Sequence, residues 1–438
     1  MTRSVRSGWI VCASLCAVAT AQGRPADKAP TPKELDELAA RFFAADDKTE
    51  AGHRERATVL ARVAGVPAVD ARLLADWRKK IQKLWGKGRT LEKGGDNWFW
   101  PANKKLRTPD RGRYIVGGET QKPKGLAITM HGGGLGSGDA GPAAAAYEPA
   151  LSKLGLLMIA PQVLEATERG WTDSGSEEFV LDLVDAALRT WKLDPDKVFF
   201  VGHSMGGYGS WMLGAHHADR TAAIAPSAGA PTPIQTGPGA PITGITEGVI
   251  PSLRNVFVSI YQSLDDPQVP PGPNQFAARA LREAQQKWGA FEHDYWEVNG
   301  RGHAEPPGGY QVHLDKIIGK VRSTVPQRVV WQPVLPWKRQ FYWLYWDAPV
   351  SNVVVVADLD KEHNAVTITS DKPCDGLCVL LDDRVLDLKK EIAVTTNGTE
   401  VFRGKVEPRL DVLWLTSDHP DPELQFVAKV PASAKKDG

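Results

Sequence analysis

From about Trp98 onward, the apolar positions of the chain follow two alternating patterns. Some form short uninterrupted runs, typical of buried strands, and others recur every three or four residues, as on one face of a helix. The helical spacing is clearest in residues 177–191, where every fourth position is apolar: Phe179, Leu183, Ala187 and Trp191. The strand-like runs are Leu126–Met130, Leu156–Ala160, Lys197–Val201, Val256–Tyr261 and Glu292–Val298. This alternation predicts an α/β domain over residues 96–325, with a doubly wound, mostly parallel sheet covered by helices on both faces.

The segments on either side of this region have simpler patterns. Apolar residues at helical spacing over residues 33–87 predict a small helical prefix, which together with a Pro-rich leader covers residues 22–95. Beyond residue 325 the helical spacing stops, and short strand-like runs predict an all-β, sandwich-like module over residues 326–431. These runs are Val353–Val356, Ala365–Thr369, Leu377–Leu381, Ile392–Thr396, Val401–Lys405 and Val412–Thr416. Residues 432–438 are predicted to form a disordered tail.

The first 21 residues have the pattern of a signal peptide. Arg3 and Arg6 precede an apolar run over residues 9–19, and Ala19-Thr20-Ala21 supplies the small residues that signal peptidase requires. The run is too short for a permanent transmembrane helix, and the alternative is a buried N-terminal helix. We therefore expect a secreted or periplasmic protein without a stable membrane span.

Cleavage after Ala21 would leave two cysteines in the mature chain, Cys374 and Cys378, with an Asp-Gly turn signal between them. A disulfide across that turn is one alternative in an oxidising compartment. A continuous strand, which would hold the two residues too far apart to bond, is the other.

Charge and composition weigh against several classes of function. The 53 basic and 52 acidic residues give a net charge of +1, so no strong field favours nucleic acid or an anionic membrane as the main partner. The sequence has no H-E-x-x-H, no cysteine quartet and no acidic calcium loop. The glycines of residues 132–138 lack the Lys-Ser/Thr ending of a phosphate-binding loop. The sequence therefore predicts neither a metal nor a cofactor.

The strongest chemical signal is Gly202-His203-Ser204-Met205-Gly206-Gly207, directly after the predicted strand at residues 197–201. A G-x-S-x-G at a strand-to-helix turn bends the backbone so sharply that glycines are needed around the serine. The hydroxyl then lies at the positive end of the following helix. Ser204 is the predicted nucleophile, and a glycine-rich loop without chemistry is the alternative.

A second glycine-rich turn, His131-Gly132-Gly133-Gly134, follows the predicted strand at residues 126–130. Glycines allow backbone N–H groups to approach an oxyanion as it develops. The predicted donors are the N–H of Met205, which follows the nucleophile, and that of Gly132 or Gly133.

A serine nucleophile needs a base, and several histidines follow Ser204. His216 and His217 fall in the predicted helix after the nucleophile, and His293 lies inside a predicted strand. His303 instead lies in the loop after that strand, at the sheet edge where active groups collect. His303 is therefore the predicted base.

The base in turn needs an acid that orients it. Asp265 and Asp266 both follow the predicted strand at residues 256–261. Their position relative to the strand does not separate them. We expect one of the pair to be the acid and the other a solvated turn residue.

These segments resemble those of the α/β-hydrolase superfamily, in particular secreted esterases of the polyhydroxybutyrate-depolymerase and feruloyl-esterase type and the catalytic domain of the prolyl oligopeptidase family. The resemblance covers roughly residues 95–325. It rests on Asp194–Val198 leading into Gly202–Trp211, on Asp266-Pro267-Gln268-Val269-Pro270, and on Gly302-His303. It implies an α/β-hydrolase fold and favours Asp266 as the acid. The β-propeller of true prolyl oligopeptidases is missing from this sequence.

Together these features predict a secreted serine hydrolase that cleaves small or polymeric carboxylic esters through a Ser-His-Asp triad and an acyl-enzyme intermediate. One alternative is a serine peptidase of the prolyl oligopeptidase type, using the same residues. The other is a catalytically inert ligand- or carbohydrate-binding protein. In such a binding protein, ligands would stack on a tryptophan cluster formed by Trp331, Trp337, Trp343 and Trp346. The alternative interpretation of this cluster is that it packs the β-module against the core.

Overall fold

The computed structural model describes residues 29–46, 49–237, 239–418 and 421–433. The predicted signal peptide, residues 1–21, lies outside these ranges, as do residues 434–438 of the predicted tail. Within these ranges, no helix combines the length and the apolar character that crossing a bilayer requires.

The described residues form a helical prefix, a central sheet with flanking helices, and a β-rich C-terminal region. The prefix consists of α1 (Pro32–Ala44), α2 (Glu50–Val63) and α3 (Ala71–Trp85). The central strands are β1 (Gly95–Trp100), β2 (Arg111–Gly118), β3 (Leu126–Met130), β4 (Leu157–Pro161), β5 (Val198–His203), β6 (Ala223–Ser227), β7 (Phe257–Ser263) and β8 (His293–Val298). The helices between and after them are α4 (Ala140–Leu154), α5 (Ser176–Trp191), α6 (Met205–His216), α7 (Gly272–Trp288) and α8 (Tyr310–Leu314).

The central strands form one sheet in the order β1-β2-β4-β3-β5-β6-β7-β8. β2 runs antiparallel to both of its neighbours. The six strands that follow it in this order, β4, β3, β5, β6, β7 and β8, are all parallel to one another. This arrangement confirms the predicted doubly wound, mostly parallel sheet. The carboxyl ends of the parallel strands therefore meet along one edge, where the loops after β3, β5, β7 and β8 lie side by side.

Neighbouring residues of each central strand face two different cores, as the period of a strand requires. On one face, Ile128 and Phe200 pack in a cluster with apolar residues of α5, α6 and α7. On the other face, Ala127 and Phe199 pack with residues of α4 and α8. Because both faces are covered, inner strands such as β3 and β4 are buried along their whole length, which explains the uninterrupted apolar runs there.

The C-terminal region contains two sheets that share one hydrophobic core. The first has the order β9 (Arg328–Trp331), β12 (Val355–Asp360), β13 (Ala365–Ser370), β15 (Ile392–Thr396) and β16 (Thr399–Gly404). The second has the order β10 (Gln340–Phe341), β11 (Leu344–Trp346), β14 (Leu377–Leu381) and β17 (Ala428–Pro431). Ile368 and Val379, one from each sheet, lie in the same buried cluster. The turn at Asn397-Gly398 joins β15 to β16, as its hairpin signal predicts.

One predicted strand of this region is a helix. The segment Val412–Thr416 lies largely in α9 (Leu410–Leu415), so its assignment as a strand was wrong. Leu410, Leu413 and Trp414 recur at helical spacing and pack against apolar residues of α1, α2 and α3. This contact with the prefix, distant in sequence, explains why local β-propensity did not decide the structure.

The tryptophan cluster packs the C-terminal region instead of forming a stacking surface. Trp331, Trp343 and Trp346 are all buried in the main hydrophobic cluster. Trp337 is 38% exposed, and its ring stacks on His217 of the central domain. These positions favour packing over a carbohydrate-binding platform.

Two local expectations concern the C-terminal region, one about where disorder begins and one about a disulfide. The expected disorder does not begin at Ala432, because this residue is buried and its N–H donates to the carbonyl oxygen of Leu377 over 2.8 Å. The carbonyl oxygen of Ala432 in turn accepts from the Thr396 hydroxyl over 2.7 Å. Cys374 and Cys378, the two cysteines of the described ranges, are buried thiols and are not joined by a disulfide.

Candidate active site

Ser204 lies in a strained turn between β5 and α6. Its φ of 60° and ψ of −125° are unusual for a residue with a side chain, and such strain persists only where the surrounding structure enforces it. The turn passes so close to β3 that a Cβ on Gly206 would lie 2.0 Å from the carbonyl oxygen of Met130. Only glycine fits there, and the turn holds the Ser204 hydroxyl above the carboxyl edge of the sheet.

Three side chains from three separate loops meet at this edge. His303 Nε2 lies 2.9 Å from Ser204 Oγ, and His303 Nδ1 lies 2.7 Å from Asp266 Oδ2. A carboxylate only accepts hydrogen bonds, so Nδ1 carries the proton and Nε2 presents its lone pair to the Ser204 hydroxyl. The Asp266 side chain is 0% exposed, whereas that of His303 is 12% exposed. The carboxylate is therefore sealed from solvent, and the imidazole remains accessible at one edge.

Asp266 is held in place by the backbone that follows it. Its Oδ1 accepts hydrogen bonds from the N–H groups of Gln268 and Val269, each at 2.9 Å. This leaves Oδ2 for the imidazole of His303. The segment Asp266–Pro270 thus curls around its own carboxylate and fixes the direction in which the acid points.

Asp265 is exposed but is not merely a solvated turn residue, as one member of the pair was expected to be. Its Oδ1 accepts from the backbone N–H groups of Gly300, Arg301 and Gly302, at 3.0, 3.2 and 3.1 Å. The Ser263 hydroxyl donates to the same oxygen over 2.5 Å. The hydrogen bond from Ser263, followed by those from the loop backbone, lowers the pKa of Asp265. The two adjacent aspartates thus hold His303 in two ways. Asp266 binds the imidazole ring, and Asp265 binds the backbone of the three residues that precede His303.

The predicted oxyanion donors lie beside the nucleophile. Met205 is the first residue of α6, where the N–H groups of a helix lack intrahelical partners. A Cβ on Gly132 would lie 3.7 Å from Ser204 Oγ and 3.1 Å from Ser204 Cβ, so the backbone of Gly132 packs directly against the serine. Gly133 instead pairs with Gly138 in a short ribbon. Gly132 is therefore the glycine of this turn whose backbone the structure places against Ser204.

His131 fixes the glycine-rich turn from behind. The backbone N–H of Val163 donates to Nε2 over 3.1 Å, so the proton lies on Nδ1, which donates to the carbonyl oxygen of Gly132 over 2.8 Å. The indole N–H of Trp171 donates to the carbonyl oxygen of His131 over 3.2 Å. Burial lowers the pKa of His131, which keeps this ring neutral. The orientation of the Gly132 peptide is therefore set by two buried side chains.

His203 is a further residue of the site that the sequence pattern did not single out. Its Nε2 lies 3.2 Å from the carbonyl oxygen of His303, and its Nδ1 lies 3.0 Å from the hydroxyl of Ser227. Burial, together with the neighbouring His303 imidazole, lowers the pKa of His203 to about 4. The motif G-x-S-x-G leaves this position open, so only the fold reveals its contacts.

His216 and His217, which were set aside as bases, lie at the other end of α6. Both rings contact the buried carboxylate of Glu177, His216 Nδ1 at 2.9 Å and His217 Nε2 at 2.8 Å. Across the described ranges, no group of three or more His, Cys, Asp or Glu side chains is arranged to hold a metal ion. The structure therefore brings His303, and not these two histidines, to Ser204.

Comparisons with known proteins give partial matches. No family model matches the chain, and no curated protein matches it. Among solved structures, a thermostable esterase is 16% identical over 52% of this chain, with a TM-score of 0.39, and the chain spans 63% of that protein's length. A ferulic acid esterase from Anaeromyces mucronatus is 16% identical over 53% of this chain and 94% of its own, with a TM-score of 0.36. A phospholipase/carboxylesterase from Dyadobacter fermentans is 18% identical over 47% of this chain and 95% of its own, with a TM-score of 0.35.

The fold itself can be identified from features of this chain. In the central sheet, one antiparallel strand, β2, lies beside an otherwise parallel series of strands. A strained turn at Ser204 follows β5. Loops after β7 and β8 bring Asp266 and His303 to that turn, in the chain order serine, acid, histidine. The central sheet and its flanking helices therefore have the α/β-hydrolase fold.

Proposed function

We propose that this protein is a carboxylic-ester hydrolase in which Ser204 is the nucleophile, His303 the general base and Asp266 the orienting acid. One observation carries the proposal: the unbroken contact from Asp266 Oδ2 through the His303 ring to Ser204 Oγ, at 2.7 and 2.9 Å. Both distances lie within the reach that proton transfer between a nucleophile and its base requires. The strained turn that presents Ser204 supports the same role.

The geometry supports a two-stage reaction. In the first stage, Ser204 Oγ attacks the ester carbonyl carbon while His303 Nε2 takes the hydroxyl proton. The negative oxygen that forms would be stabilised by the N–H of Met205 and that of Gly132. Collapse of the tetrahedral intermediate breaks the carbon–oxygen bond of the ester, and the alcohol leaves with the proton from His303.

The second stage releases the acid. Water, deprotonated by His303 Nε2, attacks the acyl carbon, and Ser204 leaves with the proton that His303 returns. Asp266 keeps its hydrogen bond to Nδ1 through both stages and stabilises the imidazolium that forms in each. No cofactor is needed for either stage.

The substrate class is tested with a panel of acetylated sugars, feruloyl esters, polyesters and short peptide amides. We expect the wild-type protein to hydrolyse at least one ester class and Ser204→Ala to lose about 10⁴-fold or more in turnover on it. Cleavage of the amides alone would favour a peptidase instead. Ester turnover by Ser204→Ala at the wild-type rate would exclude Ser204 as the nucleophile.

The pattern of residues 1–21 supports the further proposal that the enzyme works outside the cytoplasm. Expression of the full chain in a bacterium should yield exported protein that begins at Gln22. Recovery of the chain only in the cytoplasm with residues 1–21 intact would contradict export.

A further inference from the structure

Both ring nitrogens of His203 are engaged, and their partners define the state of the ring. Nε2 lies 3.2 Å from the carbonyl oxygen of His303. A carbonyl oxygen only accepts, so Nε2 carries the proton. The second nitrogen of a neutral ring has a lone pair, and the hydroxyl of Ser227, 3.0 Å away, donates to it. These two hydrogen bonds fix one tautomer and one orientation of the imidazole.

Ser227 is in turn bound to the serine turn. It ends β6 and is fully buried, and its carbonyl oxygen accepts from the N–H of Ser204 over 2.9 Å. A series of contacts therefore begins at the backbone of Ser204, passes through Ser227 and His203, and ends at the backbone of His303. This series is separate from the Asp266–His303–Ser204 contacts, because it uses none of their side chains.

We propose that His203 is a positioning residue, which couples the turn that carries Ser204 to the loop that carries His303. The inference rests on the proposed function and names a second support for the same site. Asp265 holds the three N–H groups that precede His303, and His203 holds the carbonyl oxygen of His303 itself. The rings of His203 and His303 are also in contact, with centroids 4.8 Å apart.

The benefit for catalysis is geometric. The loop that carries His303 is anchored through its backbone, so loss of one anchor lets Nε2 move relative to Ser204 Oγ. A misplacement of about 1 Å at a reacting centre can cost about 10²-fold in rate. Because burial lowers the pKa of His203 to about 4, the ring stays neutral near neutral pH and Nδ1 keeps the lone pair that accepts from the Ser227 hydroxyl.

The test compares two amide replacements of similar chemistry. In His203→Gln, the terminal amide nitrogen can occupy the place of Nε2 and donate to the carbonyl oxygen of His303. In His203→Asn, the shorter side chain reaches Ser227 but not that carbonyl oxygen. We expect His203→Asn to lower kcat for an aryl ester by about 10²-fold, with KM within about 2-fold of the wild-type value. The kcat of His203→Gln should be at least about tenfold higher than that of His203→Asn.

Ser227→Ala is a milder variant of the same test. It removes the hydroxyl that orients His203 but keeps the carbonyl oxygen that binds Ser204, so we expect kcat to fall by about 3- to 10-fold. Unfolding midpoints of all three variants, measured beside the wild type, show whether stability changes in parallel.

The outcomes separate the two proposals. Wild-type kcat in His203→Asn, or equal losses in His203→Asn and His203→Gln, would overturn the positioning role while leaving the esterase proposal intact. Absence of Ser204-dependent ester hydrolysis in the wild-type protein would instead overturn the proposed function. A loss in His203→Asn that tracks a fall in the unfolding midpoint, with no recovery in His203→Gln, would assign His203 to stability alone.

Discussion

Helix α6 separates two clusters in which imidazoles contact a buried carboxylate. At its N-terminal end, His303 bridges Asp266 and Ser204. At its C-terminal end, His216 and His217 both contact Glu177. The helix has 12 residues, so its two ends lie about 18 Å apart. The two clusters use the same chemical groups at nearly the same distances.

The difference lies in the second nitrogen of each ring. His303 Nε2 faces a hydroxyl at the open edge of the sheet, and its side chain is 12% exposed. His216 Nε2 and His217 Nδ1 are buried without a hydrogen-bond partner among the described residues. The Glu177 side chain is 4% exposed, that of His217 is 0% exposed, and Trp337 covers the His217 ring. The two clusters therefore differ in what the second ring nitrogen meets, and only at His303 is it a hydroxyl at an accessible edge, as the proposed base requires.

The largest expected effect distinguishes the two clusters by their histidines. His303→Ala removes the proposed base, and we expect ester turnover to fall by about 10⁴-fold or more. His216→Ala should leave kcat and KM of the folded protein within about 2-fold of the wild-type values, since His216 lies at the far end of α6. Initial rates on one aryl ester, normalised to folded protein, measure both. A comparable loss in His216→Ala would mean that the two clusters are functionally coupled.

The second effect separates the adjacent aspartates. Asp266→Asn leaves the imidazole without a carboxylate to fix its tautomer, and we expect kcat to fall by about 10³- to 10⁴-fold. In Asp265→Asn an amide oxygen can still accept from the loop backbone, so the expected loss is about tenfold or less. The two substitutions match in chemistry and differ only in position. A larger loss in Asp265→Asn would reassign the acid.

The third effect concerns how much the buried cluster of Glu177, His216 and His217 contributes to the stability of the fold. Burial would raise the pKa of Glu177, but charge attraction to His216 and the hydrogen bonds from the two imidazoles outweigh it and lower the pKa to about 2. Removing the carboxylate in Glu177→Gln should therefore reduce the free energy of unfolding at pH 7 by about 2–3 kcal/mol. Glu283→Gln, on an exposed position of α7, serves as the control and should change stability by less than about 0.5 kcal/mol. Turnover of the folded Glu177→Gln protein should be unchanged.

The stability difference between wild type and Glu177→Gln should depend on pH, in a direction set by the lowered pKa of Glu177. A carboxyl group whose pKa is lower in the folded than in the unfolded protein stabilises the fold above its unfolded pKa, about 4.3, and loses that effect as the pH falls toward 2. The gap between wild type and Glu177→Gln should therefore be widest near neutral pH and narrow below pH 4.3. Chemical denaturation at several pH values measures it. A gap that widens on acidification would contradict an ionised Glu177.

The sequence was most informative where the position of a residue follows from its place at the end of a strand. Ser204 and His303 follow β5 and β8, and the parallel sheet brings the loops after these strands to one edge. Position alone could not choose between Asp265 and Asp266, because both lie in the same short turn after β7. Only the curl of Asp266–Pro270 around Asp266, and the approach of the His303 loop to Asp265, distinguish them.

Contacts distant in sequence explain the remaining differences. Glu177 lies in the first turn of α5 and turns inward to two histidines about 40 residues later in the chain. The contacts of His203 require the loop of His303 to return to the serine turn, about 100 residues on. Neither partnership leaves a periodic signal, since each depends on which elements pack together.

We propose that Ser204 is, among the serines that the structure describes, the one activated by an imidazole in a site open to substrate. Reaction of the folded protein with a fluorophosphonate, followed by peptide mass spectrometry, tests this claim most directly. We predict a single adduct on Ser204, formed at the wild-type rate in Glu177→Gln and lost in His303→Ala. Failure of the folded wild-type protein to react, or an adduct on another residue, would contradict it.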